Sequence, residues 1–151
     1  MNVKTTFMTI SLTLLALMGI FFLTNPSYQK SLEAKYYYEM GDFDRSYALA
    51  KEAFSQDLYN RMAATIMAQS LTSMKYQKYI DQAKEYLIQI KDIATNKQVD
   101  DAQRAKIKVM SQIMTNRYIK LAPSVVTDAD LVEKAAKYHA KFEKILETVD
   151  R

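Results

Sequence analysis

Residues 34–58 read AKYYYEMGDFDRSYALAKEAFSQDL. This stretch is a helix, a turn and a second helix. The first helix is predicted from about Ser27 to Met40, and Gly41-Asp42 ends it. Glycine reaches left-handed backbone angles without a Cβ clash, so it commonly closes a helix. The second helix is predicted from about Phe43 to Asp57, with Phe43, Tyr47, Ala50 and Phe54 at helical spacing. Two helices joined by so short a turn fold back antiparallel.

On the N-terminal side lies a different kind of segment. Phe7 to Leu23 reads FMTISLTLLALMGIFFL, seventeen residues with no charge and no proline. As a helix it reaches roughly 26 Å, near the lower limit for crossing a bilayer. Phe7, Leu12, Leu15, Phe21 and Leu23 would face lipid. A secretory signal peptide shares the positive flank, here Lys4, but its apolar region is usually shorter. Signal peptidase also needs small residues at −3 and −1. Cuts after Ala16, Gly19 or Thr24 place Leu14, Leu17 or Phe22 at −3. With no cysteine in the chain, lipoprotein cleavage is excluded. The reading is an uncleaved anchor over residues 1–24 and a soluble domain over 25–151. Lys4 favours a cytoplasmic N-terminus, which places the domain outside the cytoplasm, periplasmic in a two-membrane cell.

About 127 residues follow the anchor, enough for one core. Gly and Pro occur only twice each. Sheets need turns, and turns lean on these residues, so the composition predicts an all-α fold. Net charge is +4, but acids and bases are interspersed along most of the chain. That describes a mixed soluble surface rather than a nucleic-acid footprint.

Further helices are predicted at about Asn60–Met74, Gln77–Ala94, Asp101–Leu121 and from Thr127 onward. The third carries Met62, Ile66, Met67 and Leu71 as its stripe, and Pro123 stops the fifth. At the start of the last helix, Thr127 and Asp130 suggest a capping box, and Val126 and Leu131 a hydrophobic staple. This helix carries Leu131, Ala135, Tyr138, Phe142, Ile145 and Val149 at heptad spacing. The seam is a core stripe or, alternatively, a self-assembly surface. About six helices beyond the anchor would form three antiparallel hairpins.

The 34–58 stretch resembles a tetratricopeptide repeat. Ala34 and Tyr37 match the first helix of that repeat, Gly41-Asp42-Phe43 its turn, and Ala53 its late alanine. Ser46, Ala50 and Leu58 depart from the pattern. The resemblance covers roughly residues 28–92, with Met74-Lys75-Tyr76 standing where a second turn would fall. It implies a short α-solenoid whose helical hairpins bind protein partners.

No residues read as a catalytic centre. His139 is the only histidine and has no nucleophile or acid cluster at matching spacing. No metal-ligand spacing and no Gly-rich phosphate loop occurs. Asp42-Asp44 and Asp128-Asp130 read as helix caps. The expectation is no cofactor, no metal, no small-molecule substrate and no enzymatic activity.

Two places are not exhausted by a core stripe. Tyr36-Tyr37-Tyr38 cannot all face one core, because neighbouring helical residues point in different directions. Tyr36 or Tyr38 is therefore a candidate partner contact. The fifth helix carries Arg104, Lys108, Arg117 and Lys120, with no acid from Ala102 to Thr127. It is a candidate for an acidic partner or anionic headgroups. Its apolar residues fall on two sides, Ala105, Val109 and Ile113 against Ile107, Met110, Met114 and Tyr118, which predicts cover on both faces. The functional expectation is a membrane-anchored adaptor that holds a protein partner in an envelope assembly such as a motor, secretion or division complex. The alternative is a protomer that self-assembles into a homo-oligomer through its C-terminal helices.

Overall fold

The computed structural model describes residues 3–95, 99–122 and 127–149. Among these residues the regular structure is entirely helical: α1 (Val3–Thr24), α2 (Pro26–Glu39), α3 (Phe43–Gln56), α4 (Arg61–Ala94), α5 (Asp101–Ile119) and α6 (Ala129–Val149). The all-α expectation holds. Pro123 and Val126, read as helix stop and staple, lie outside the described residues.

α1 extends the apolar run to 22 residues with none buried. Its length of about 33 Å matches the apolar thickness of a bilayer. This is one helix long and apolar enough to span a membrane, a test that a signal sequence also passes. Asn25 and Pro26 separate α1 from α2. The Asn25 side chain caps α2 by accepting from the amides of Ser27 and Tyr28, and Pro26 opens the helix, where its missing N–H costs nothing. Phe21, Phe22 and Tyr28 pack edge to face at this junction.

The chain divides into two compact units, one up to Leu71 and one from Thr72 onward. In the first, α2 and α3 form the antiparallel hairpin. Gly41 takes φ +79°, as its place at the end of the helix predicts. Asp42 caps α3 by accepting from the Arg45 amide at 3.1 Å. The buried face of α3 is Phe43, Ser46, Ala50 and Ala53, rotated from the Phe43-Tyr47-Ala50-Phe54 stripe read from hydropathy. The rotation has a physical cause. Small residues let the backbones close, so Ser46 and Ala53 sit at the crossing and the larger Tyr47 and Phe54 move to its margin.

α4 departs most from the sequence reading. Asn60–Met74 and Gln77–Ala94 are not two helices but parts of one continuous helix of 34 residues. Among the described residues five helices therefore follow α1, not six. Met74-Lys75-Tyr76 does not turn, because it contains neither Gly nor Pro and all three residues propagate a helix. Tyr76 is instead a buried residue whose hydroxyl donates to the Leu121 carbonyl at 2.8 Å.

The second unit comprises the later part of α4 with α5 and α6. The contacts Tyr76–Leu121 and Tyr79–Tyr118 show that α4 and α5 run antiparallel. α5 begins on a capping box between Asp100 and Gln103, a Asp-x-x-Gln pattern the sequence reading overlooked. At the start of α6 Asp128 accepts from the Leu131 amide at 3.1 Å. Leu131, Ala135 and Phe142 of the heptad stripe are buried inside this unit. Among the described residues the cover on α5 is unequal: Ile107, Met110, Ser111 and Met114 are buried, while on the other side Ala105 and Val109 are exposed and Ile113 is half-buried.

Candidate functional site

The first unit is built on hydroxyls and methyls. Ser27, Ser31, Ala34, Ser46, Ala50, Ala53, Ala63 and Ser70 are all buried. Such short side chains leave the backbone carbonyls within reach. Ser27 donates to the Ala53 carbonyl at 2.8 Å, and Ser46 to the Ala34 carbonyl at 2.7 Å. Ser46 and Ser70 share a hydrogen bond of 2.8 Å. Asn60, fully buried at the start of α4, donates to both Ser27 and Ser31 at 2.8 Å. Its carbonyl oxygen meanwhile accepts from the Ala63 amide at 3.1 Å, capping α4. One side chain thus ties α4 to α2, Ser27 carries the link on to α3, and each polar atom of the Asn60 side chain is used.

Between α2 and the start of α4 this packing leaves a groove. Lys35, Tyr38 and Glu39 line it from α2; Arg61, Met62, Thr65, Ile66 and Gln69 line it from α4. Its volume is about 400 Å³. The floor is apolar, with Ile66 packed into the core cluster of Ala34 and Ala50, and Tyr38 and Met62 resting on that cluster. The rim carries both signs of charge. An apolar floor with a mixed polar rim is the make-up of a protein-recognition surface.

Of the three consecutive tyrosines, only Tyr38 lines this groove. Its ring packs edge to face on Phe43 at 5.4 Å. Tyr37 lies under the Arg45 guanidinium at 4.0 Å, a cation–π contact. Tyr36 is 57% exposed and touches the Tyr37 ring. The candidates Tyr36 and Tyr38 are therefore not one surface. Gly41, Asp42, Phe43 and Ala53 serve turn, cap and crossing, and Ala34 has no exposed surface.

The basic residues of α5 are also divided. Arg104 and Lys108 fall on one side of the buried stripe, and Arg117 and Lys120 on the other, about half a turn around the axis. They do not converge on one site.

The chain matches no protein-family profile, no curated protein and no solved structure. Its site is read from its own residues. Among the described residues no group of three or more His, Cys, Asp or Glu could hold a metal ion. His139 stacks on Tyr118 at 4.1 Å between ring centroids, and its Nε2 lies 3.4 Å from Glu143. Tyr118 in turn meets Tyr79 at 5.9 Å. The Tyr79 hydroxyl and the His139 Nδ1 are buried without hydrogen-bond partners among the described residues. Burial, with Tyr118 and Glu143 nearby, pushes the Tyr79 phenol well above its ordinary value. Burial also raises Tyr76. This aromatic stack fills a core.

The groove residues on α4 were missed for a definite reason. Met62 and Ile66 carry apolar periodicity, which by itself reads as a core stripe. The flanking Arg61, Thr65 and Gln69 recur every four residues beside them, which is the legible signal of a groove edge.

Proposed function

We propose that this protein is a non-enzymatic, membrane-anchored adaptor that binds a protein partner in the groove between α2 and the start of α4. The observation that carries the reading is the groove itself, with an apolar floor of Tyr38, Met62 and Ile66 beneath Lys35, Glu39 and Arg61. It accepts a segment of another protein that brings an apolar anchor flanked by charge. The α2–α3 hairpin, with its Gly-Asp-Phe turn and its small residues at the crossing, supports a tetratricopeptide-like character for this part of the chain. The repeat does not recur, because α4 is unbroken where a second hairpin would turn.

α1 supplies the anchor. With Lys4 on the cytoplasmic side, the rest of the chain lies outside the cytoplasm, beside other membrane components of an envelope assembly. Confinement raises the effective concentration of the groove near a membrane-embedded partner. Self-assembly through the α6 seam has less support, since Leu131, Ala135 and Phe142 are consumed inside their own unit.

Affinity capture with the full chain from detergent-solubilised membranes tests the reading. Tyr38→Ala combined with Arg61→Glu should lower partner recovery by about tenfold or more, as loss of an anchor and a charge contact does. Arg117→Glu with Lys120→Glu should leave recovery unchanged. Full recovery with the groove variant, at unchanged helicity, overturns the proposal.

A further inference from the structure

The second unit fills its core unevenly. Phe142 and Met114 are sealed from solvent. Farther along the same three helices the packing opens into a cavity of about 550 Å³. Leu87 and Ile90 of α4, Ile107 of α5, and Ile145 and Val149 of α6 line it. Ile145 and Val149 continue the stripe begun by Leu131, Ala135 and Phe142, so α6 offers core residues where α4 and α5 do not close over them. The hollow is open to solvent and its lining is almost entirely apolar, so an apolar occupant that covers this surface is favoured.

Its cations set the other half of the preference. Lys141 and Lys144 belong to the same lining, three residues apart on α6 and both exposed. Neither has an ion-pair partner among the described residues; the Lys141 ammonium lies 5.2 Å from the Tyr138 ring. Among the described residues no Asp or Glu lines the cavity. The long lysine stems can lie on apolar surface while their ammonium groups stay at the mouth.

We infer that this cavity binds a single-chain carboxylate amphiphile, a free long-chain fatty acid, with the acyl chain against Ile90, Ile107 and Ile145 and the carboxylate at Lys141 and Lys144. The lining has too few polar groups to orient a sugar or a nucleotide. The volume is that of one small-molecule ligand. Two unpaired ammonium groups favour an anionic head over an alcohol or an ester. The site uses none of the groove residues of the first unit and stands whether or not the groove binds a protein.

The test uses the full chain in phosphatidylcholine nanodiscs with a diazirine-bearing hexadecanoic acid. Irradiation should place adducts on residues 87–94 and 141–149, read by peptide mass spectrometry. Unlabelled hexadecanoic acid should chase them, and hexadecanol should not. Lys141→Gln with Lys144→Gln should lower labelling about tenfold, the size of a lost charge-assisted contact. Thr148→Trp, at an exposed lining position, should block labelling by filling the hollow while the circular-dichroism melt stays unchanged. Adducts confined to α1, equal chase by hexadecanol, or a cross-linked dimer through residues 141–149 would each overturn the inference. Undiminished labelling of the lysine variant does so as well.

Discussion

The two units of this chain solve the same packing problem with opposite materials. The first brings α2, α3 and the start of α4 together on serine, alanine and one asparagine, and Asn60, Ser27, Ser31, Ser46 and Ser70 all find hydrogen-bond partners. The second fills α4, α5 and α6 with Tyr76, Tyr79, Met110, Met114 and Phe142, and leaves the Tyr79 hydroxyl, Gln82 Oε1, Ser111 Oγ and His139 Nδ1 buried without partners among the described residues. Buried polar groups stabilise only when satisfied; an orphan costs roughly 1–3 kcal/mol. The first unit is therefore close-packed and specified by geometry. The second is held by apolar area, carries unsatisfied atoms, and retains a hollow. Deleting the Asn60 side chain of the first unit and the orphaned Tyr79 hydroxyl of the second should therefore act with opposite sign.

The largest effect should come from Asn60→Ala. It removes the α4 cap and the two donors to Ser27 and Ser31, and it leaves a void. A cap is worth about 1 kcal/mol and each buried hydrogen bond about as much again, so a loss of about 3 kcal/mol is expected. Denaturant unfolding of the full chain in micelles, followed by circular dichroism, measures it. A loss below about 1 kcal/mol would mean that the serine network is not what holds α4 to the hairpin. Ala53→Leu comes next. Ala53 has no exposed surface, and its carbonyl already receives the Ser27 hydroxyl, so a larger side chain overpacks the crossing by roughly 1–3 kcal/mol. An unchanged melting curve would show that α2 and α3 can separate without cost.

How far the sequence exposes this contrast depends on which residues carry it. The α2–α3 hairpin is legible because Gly41, Asp42 and the small residues each have one local job. The all-α class follows from the scarcity of turn formers. The serine crossing is not legible by hydropathy, since Ser46 and Ser70 score as polar yet are fully buried; Tyr47 and Leu71 score as core yet stand aside. The unbroken α4 was hidden by the spacing of a repeat, although Met74-Lys75-Tyr76 contains no residue able to stop a helix. The groove was half visible: Tyr38 stood out among three tyrosines, whereas Arg61, Thr65 and Gln69 gain meaning only when α4 lies beside α2.

A smaller effect tests the turn that starts the first unit. Gly41 at φ +79° has open space around its missing Cβ, so Gly41→Ala meets backbone strain and no clash. The cost should be about 1 kcal/mol. A measured loss near that of Asn60→Ala would indicate that the turn, more than the serine network, sets the hairpin geometry.

The smallest effect should have the opposite sign. Tyr79→Phe deletes a buried hydroxyl with no partner among the described residues and keeps the ring that packs on Tyr118. Removing an unsatisfied polar atom without changing shape should be neutral or stabilising by up to about 1 kcal/mol at neutral pH. Alkaline titration sharpens the point. Burial raises the folded Tyr79 phenol above its unfolded value, so the folded chain holds this proton longer than the unfolded chain does. The stability tied to it is fully present below the ordinary phenol value of about 10, and is lost as pH rises through the folded value. The wild-type chain should therefore lose stability between pH 10 and 12 faster than Tyr79→Phe, by about 1.4 kcal/mol per pH unit at most for one proton. Tyr76, raised by the same burial, remains in both proteins and contributes equally. If Tyr79→Phe instead destabilises at neutral pH by more than about 1 kcal/mol, the hydroxyl has a partner such as a buried water. The second unit would then be a satisfied polar core like the first, and the contrast between them would fail.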